Sequence, residues 1–522
     1  MKQICFPIIS RMKFYRKLSF FAAILLLMFV STACNDILDT PAENRSYTED
    51  TDYTLSENII RPTIGAYTRI YDMGWECIPL ISVRGDDVNA GGKGDQQDYE
   101  ETDYFRYNKD YWMYNSLWEG MYSKIYGCYS ALDEIELFRA AGASSAIANQ
   151  YAAEVKTISA FLLFQTSRVW GNVFIPITSD PTDLYQMELS TKDQVMQHLS
   201  TLMGEAIPAL PAVHPKERTD IPGGVTKFTA LAMKALADLE LKNYQAVADA
   251  TGEIIKSGKF VLEQDYYELF KVTKGKLNQE NLFELQYTNL GAATGGTSYL
   301  FGFFGPQGWT PKVSGKSDGW GFYEPSLKYI KFMLDRGETV RLETTVLFTN
   351  TGIDEIKKDA KYANLPAWLS NTTRSGDVIN NFPRAMFSSG KYYLPSDQLH
   401  PNRNDYGNNK NFICIRYAEI LLMYAEALAN GASGSAGSAT DAVNLVRTRA
   451  GLTPLSNVTL DQVIDEKYAE LATEWGTRYY DMLRYERYNE LTYDGRSFSQ
   501  DKAFLPYPQN QVDLLPILKG NQ

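Results

Sequence analysis

Glu470 and Glu474 stand four positions apart in the 522-residue chain, which places two carboxylates one helical turn from each other. A pair of carboxylates can serve as acid and base on a glycosidic bond. The same spacing belongs to a solvated or ion-paired face, with Glu474 ahead of Arg478 in the favourable orientation, and that reading outweighs catalysis. Asp86, Asp87 and Asn89 carry the hard oxygens that calcium takes, but Gly85 beside them points to a turn first, so no metal or other cofactor is expected. Gly315-Lys316-Ser317-Asp318-Gly319 fits the expression for a nucleophile elbow, which needs a strand before it and a helix after it. Here Pro311 precedes and Gly321 follows, and a phosphate loop would need Gly at Thr310. His198, His214 and His400 are scattered, with no triad or metal spacing among them.

Binding chemistry has better support. The stretch Tyr287 to Tyr323, NLGAATGGTSYLFGFFGPQGWTPKVSGKSDGWGFY after its first residues, breaks helical periodicity and sets rings among Gly, Ser and Thr. A sugar ring has an apolar C–H face that lies on an aromatic face, and hydroxyls that need donors and acceptors of fixed direction. Trp309 and Trp320 are the expected platforms, with Tyr299 and Tyr323 beside them. Asn89, Asp95, Tyr99 and Tyr104, from the Asp- and Gly-rich stretch Gly74 to Tyr111, are the expected polar edges. Plain core packing is the competing reading for every one of these rings.

Composition bounds the partners. Hydrophobic residues make up 44% of the chain and aromatic ones 13%, with 35 Tyr against 25 Phe, so a large core is available and disorder is excluded. The formal charge is −12, and five of the basic residues precede Cys34; a chain starting there carries 46 basic against 63 acidic residues, or −17. Nucleic acid is excluded as a partner, because binding it rests on phosphate neutralisation. Leu18 to Val30, LSFFAAILLLMFV, follows a basic run and ends in Ser31-Thr32-Ala33-Cys34. That reads as a secretory leader, too short for a membrane span, with a lipoprotein cleavage site at Cys34 in which Ser31 departs from the usual aliphatic residue. Met1 and Met12 both remain possible starts. Three cysteines, Cys77, Cys128 and Cys414, would then be left, with neither a disulfide framework nor a zinc pattern among them.

Helices must position the loops. Tyr417, Ile420, Leu421, Tyr424 and Leu428 lay an apolar face on one helix, Gly431 offers a left-handed end, and Ala442, Leu445, Val446 and Ala450 mark a second helix with Arg447 and Arg449 outside the stripe. The 4-7-8-11 spacing of large residues is that of a tetratricopeptide unit, and Phe228, Leu231, Ala232 and Ala235 repeat it. Further helices are expected at Leu55 to Tyr71, from Trp112 past Leu132, at Tyr151 to Trp170 and at Lys192 to Met203. Glu466, Glu470, Glu474 and Arg478, spaced by four, are read as one more. Asn364 to Asn411 reads as irregular.

Arg416-Tyr417-Ala418-Glu419, then LLMYAEALAN and NLVRTRAGL, resembles the SusD (RagB/SusD) family, the outer-membrane glycan-capture lipoproteins of Bacteroidetes. EVKTISAFLLFQTSRVWGNVFIP, KSGKFVLEQDYYELF, NFPRAMFSSGKYYLP, EKYAELATEWGTRYYDMLRYERYNEL and FLPYPQNQVDLLP are similar to the family's segments in the same order; Cys128-Tyr129 departs from its usual Ala-Asn. The resemblance implies a mainly α SusD-like fold with about four tetratricopeptide-like helix pairs and a loop-rich mixed lobe carrying the ligand site. Residues 1–33 would be the lipoprotein signal peptide and 34–54 a tether. The body would span 55–522, with its scaffold near 112–265 and 412–490 and its lobe near 74–111 and 281–411. It further implies a non-enzymatic protein, lipid-anchored at the outer-membrane surface, that hands oligosaccharides to a SusC-like TonB-dependent transporter. Peptide capture, as in RagB-like members, is the alternative, and glycoside hydrolysis a weaker one.

Overall fold

The computed structural model describes residues 51–71, 73, 77–91, 96–288, 300–383, 385–400 and 406–520. The leader, Cys34, Asp95 and Tyr299 lie outside these residues. A leading unit ends at Asn58, and the body runs from Ile59 to Gln522.

The first half of the body is a run of helices. α1 (Ile60–Tyr71) precedes three short elements, α2 (Cys77–Ser82), β1 (Val88–Gly91) and α3 (Gln97–Asp103). The described parts of the stretch Gly74 to Tyr111 are therefore more ordered than its lack of long periodicity predicts, since its pieces are shorter than the window in which a period shows. α4 (Trp112–Ala140), α5 (Ser145–Trp170), α6 (Lys192–Ala206), α7 (Lys227–Glu240) and α8 (Tyr244–Lys256) then pack each on the next. α6 starts on a capping box in which Thr191 and Gln194 satisfy each other's backbone N–H, and Phe228, Leu231, Ala232 and Ala235 all turn inward from α7.

The middle of the chain is the mixed lobe. It contains β2 (Asn281–Leu285), α9 (Leu300–Phe304), β3 (Trp309–Thr310), β4 (Phe322–Pro325), α10 (Leu327–Asp335), α11 (Val340–Thr345), β5 (Val346–Phe348), β6 (Val378–Ile379) and β7 (Phe387–Ser389). β8 (Phe412–Arg416) returns the chain to α12 (Tyr417–Ala429) and α13 (Ala439–Arg449), and α14 (Leu460–Leu471) and α15 (Thr477–Arg484) follow. α12 packs on α8, which joins the late helices to the early run. It ends as expected: Gly431 has φ +93°, its N–H donates to Leu428 and that of Ala432 to Ala427, closing a Schellman turn.

The named strands form two-stranded antiparallel ladders, β1–β4, β2–β8, β3–β6 and β5–β7, each joining segments distant in sequence. In β1–β4 Asn89 faces Glu324 and Gly91 faces Phe322, so the two loop regions singled out from the sequence meet along one ladder.

Buried ions tie the lobe to the helices. Arg416, 1% exposed where β8 passes into α12, reaches Glu280 at 2.9 Å, Glu470 at 2.5 Å and Glu474 at 2.8 Å. Arg449 of α13 pairs with Glu280 and Glu470, and Arg341 of α11 with Glu466 at 2.8 Å and Glu470 at 3.2 Å. Lys391 donates to Glu474 at 2.6 Å and to the carbonyls of Glu470 and Ala472. One expectation is corrected here. Glu466 to Arg478 is not one helix: α14 stops at Leu471, and Thr473, Trp475 and Gly476 take positive φ before α15. Glu474 therefore turns to Arg416 and Lys391, while Arg478 clamps Asp86 at 2.7 and 3.1 Å. Arg449, outside the apolar stripe, is nonetheless buried, because carboxylates rather than carbon receive it.

A second cluster makes stability fall in acid. Burial resists ionisation of Glu240, but Lys192 at 2.5 Å, with Arg484 and Arg168, outweighs it and pulls the carboxyl down to about 2. A carboxyl depressed in the folded state adds stability above its unfolded value near 4.5 and loses it as pH falls toward 2. Glu240→Gln is expected to cost about 3 kcal/mol at pH 7, with the gap to the parent closing between pH 4.5 and 2; urea midpoints across that range read it.

Candidate functional site

The Gly-rich segment folds back on itself. The N–H groups of Gly319, Trp320 and Gly321 donate to the carbonyls of Pro306, Gly302 and Gly305 at 2.7, 2.8 and 2.9 Å. Two backbones then lie so close that a Cβ on Gly319 would stand 2.4 Å from Gly305, and one on Gly305 would stand 2.6 Å from the Tyr406 ring. Glycine is required there by contact. Gly321, at φ +71°, is the pivot from this pair into β4.

The fold-back fixes Trp320. Its indole lies beside Gly302 and edge-on to Phe303, with ring centres 6.4 Å apart, and it is half-buried. Across Gly321 lies Phe382, also half-buried, its ring 3.4 Å from the place of a Cβ on that glycine, and the Gln307 side chain fills the same corner at 3.2 Å. Amides precede Phe382 in the chain: Asn380 donates to Thr310 at 2.9 Å, and Asn381 accepts from the Thr351 N–H at 2.9 Å. Asp318, exposed, accepts from the Gly308 N–H. The result is a pair of part-exposed aromatic rings at Gly321 with Gln307 in the same corner, an arrangement suited to binding a ring with one apolar face.

The other expected residues go elsewhere. Trp309 is corrected from platform to core: 8% exposed, it packs edge-on to Tyr406 at 5.5 Å and Tyr393 at 6.4 Å. Tyr323 is buried at φ +64° with its hydroxyl donating to the Thr473 carbonyl, and burial pushes its phenol well up. Tyr99 is buried edge-on to Phe303 and Phe322. Tyr104 is half-buried, with the Arg496 and Arg106 guanidinium groups 4.4 and 4.6 Å from its ring centre. Asn89 accepts from Arg496 at 2.9 Å and from Tyr493, and faces Glu324. Among the described members of the expected set, Trp320 is thus the one that keeps part of a ring at the surface of the Gly-rich fold. Phe382 and Gln307 were missed; the signal for Phe382 was a ring before Pro383 within an irregular stretch.

The chemical candidates are structural. Burial raises the Glu470 carboxyl, but Arg449, Arg416 and Arg341 outweigh this and hold it well below the usual range, so it has no proton to give. Asp86 is taken by Arg478 and Lys328, and Asp87 accepts from the Thr473 N–H at 2.7 Å, with burial raising it to about 6. Among the described residues no group of three or more His, Cys, Asp or Glu could hold a metal ion. Ser317 lies in a loop without strand or helix beside it, and Cys77, Cys128 and Cys414 are buried.

A helical run carrying a Gly-pinned aromatic lobe, joined by buried ions, defines a scaffold of the SusD-like kind. Residues 245–522 match the SusD family, more than half of the chain, and the protein belongs to that family. It is 25% identical over 476 residues to a SusD-like protein of Bacteroides ovatus, covering 87% of this chain and 80% of that one. It is similar in structure to surface glycan-binding protein A of Bacteroides thetaiotaomicron in complex with laminarihexaose, with a TM-score of 0.71 and 26% identity over 88% of this chain and 97% of the other. A laminarin-binding SusD-like protein shares the fold at TM-score 0.71 and 20% identity, over 88% of this chain and 97% of that one.

Gly319→Ala is expected to destabilise the body by about 2–4 kcal/mol, since backbone and not a flexible side chain would have to yield. Chemical denaturation measures it; a change within 0.5 kcal/mol would contradict the close approach.

Proposed function

We propose that this protein captures an oligosaccharide on the face formed by Trp320 and Phe382 and passes it, uncleaved, to a SusC-like TonB-dependent transporter in the outer membrane. Residues 1–33 would be the leader, Cys34 the acylated anchor, and 34–54 the tether that keeps the body at the cell surface. The observation that carries the reading is the pair of part-exposed rings at Gly321, each backed by glycine contacts. Family membership and the likeness to a structure holding laminarihexaose support it and make β-1,3-glucan the first ligand to test. Among the described residues no helix is long and apolar enough to cross a membrane, so attachment would fall to the lipid. Modest affinity is enough, because anchoring beside a pore raises the local concentration.

Calorimetry against laminarin, a panel of other polysaccharides and a peptide mixture tests it. One glycan class is expected to bind without release of reducing ends, and Trp320→Ala to weaken it by tenfold or more, about 1.4 kcal/mol. Binding that Trp320→Ala and Phe382→Ala leave unchanged would move the site elsewhere, and binding by the peptide mixture alone would favour the RagB-like alternative.

A further inference from the structure

A cleft of about 420 Å³ opens where the end of α5 meets the chain near its C-terminus. It shares no lining residue with the Trp320 face. Its size falls within the range of about 300–1,000 Å³ typical of small-ligand clefts.

Its walls are fixed from behind. The Leu505 N–H donates to the Val169 carbonyl at 2.9 Å, the Tyr479 hydroxyl to Ala503 at 2.7 Å and the Tyr107 hydroxyl to Lys502 at 2.8 Å. The Tyr507 hydroxyl donates to Asn172 at 2.8 Å. Gly171, at φ +72°, lets the Phe504 ring lie on the backbone, since a Cβ there would be 2.9 Å from the ring. Trp170 closes the floor, edge-on to Trp118 with ring centres 5.1 Å apart. These bonds hold the backbone and leave the side chains of Gln500, Phe504 and Lys109 lining the opening.

Those side chains have chemistry to offer. Asn172 accepts from the Lys192 N–H through Oδ1, and its Nδ2 donates to no acceptor among the described residues. Gln500 is exposed, and its amide likewise has no protein partner there. Phe504 and Tyr107 are half-buried rings, and Lys109 and Lys502 stand at the mouth with Asp501 3.8 Å from Lys502. Planar amides that can each donate and accept, set against rings in a rigid recess, suit the vicinal hydroxyls and apolar face of a pyranose.

We propose that this cleft is a second sugar-binding site, taking one or two pyranose units of the same or another glycan. The cleft stands on its own geometry; only the ligand class rests on the glycan reading above. Two separate sites on one anchored chain would hold a polymer more tightly than either holds a short fragment, because the second engagement is intramolecular.

Saturation-transfer NMR with laminaribiose, cellobiose, maltose, lactose and a glucuronate-containing disaccharide tests it on the Trp320→Ala/Phe382→Ala protein, from which the first face is removed. At least one disaccharide is expected to bind with millimolar affinity, and binding is expected to fall tenfold or more when Asn172→Asp and Gln500→Ala are added. Asn172→Asp keeps the acceptor for the Lys192 N–H, and circular dichroism confirms the fold. If no disaccharide binds, or if binding survives both changes, the cleft is not a sugar site. That failure is distinct from failure of the first reading, which shows instead as a laminarin affinity, read by calorimetry, that Trp320→Ala and Phe382→Ala leave undiminished.

Discussion

Glu470 is the point on which the structure turns. It is fully buried and meets Arg416, Arg449 and Arg341, which come from β8, α13 and α11. A carboxylate removed from water costs several kcal/mol unless its partners are close and well directed, and removing one partner from such a set leaves a buried charge uncompensated. Each cation therefore has to be delivered to the same place, and the elements that carry them have to dock together. Lys391 adds the constraint from the lobe side: burial pulls its ammonium down to about 8, and Glu474 with two carbonyls keeps it hydrogen-bonded. Apolar packing of Tyr329, Leu342 and Phe387 on Tyr468 and Ala469 joins the same two parts, and the ion cluster adds direction to that contact.

The residues that made the family recognisable are largely these ions. Arg416 opens the Arg-Tyr-Ala-Glu motif, Arg449 stands in NLVRTRAGL, and Glu466, Glu470 and Glu474 lie in the C-terminal signature. They resemble the family because they fix the body, and they say nothing of what binds to it. Glu470 and Glu474 look like a catalytic pair only while the guanidinium groups around them are out of view.

The helices were legible because each is long enough to repeat an apolar face several times, as the inward residues of α7 and the Gly431 end of α12 show. The failures are local and physical. α2, α3 and the short strands never complete a period, and the break after Leu471 is carried by Thr473 and Trp475, residues whose positive φ no composition rule foresees. In the lobe, sequence marked the right segments without ranking the rings within them. Trp309 and Trp320 sit in similar Gly-rich surroundings, yet the first is walled in by Tyr393 and Tyr406 and the second is lifted outward by a glycine pair. Which face a loop ring shows depends on contacts with residues far along the chain, and Phe382 entered the site by that same route.

The ladder between β1 and β4 has a further meaning for how the chain is made. Asn89 and Glu324 are 235 positions apart, and Asp86 meets Arg478 from 392 positions away. Closing loops of that size is paid in chain entropy before any contact rewards it, so high contact order makes assembly slow and late. The early helices can form as they emerge, whereas the lobe waits for the last hundred residues. A nascent chain of this protein therefore leaves the seam between its lobe and its helices unsealed until Glu470, Glu474 and Arg478 have been made.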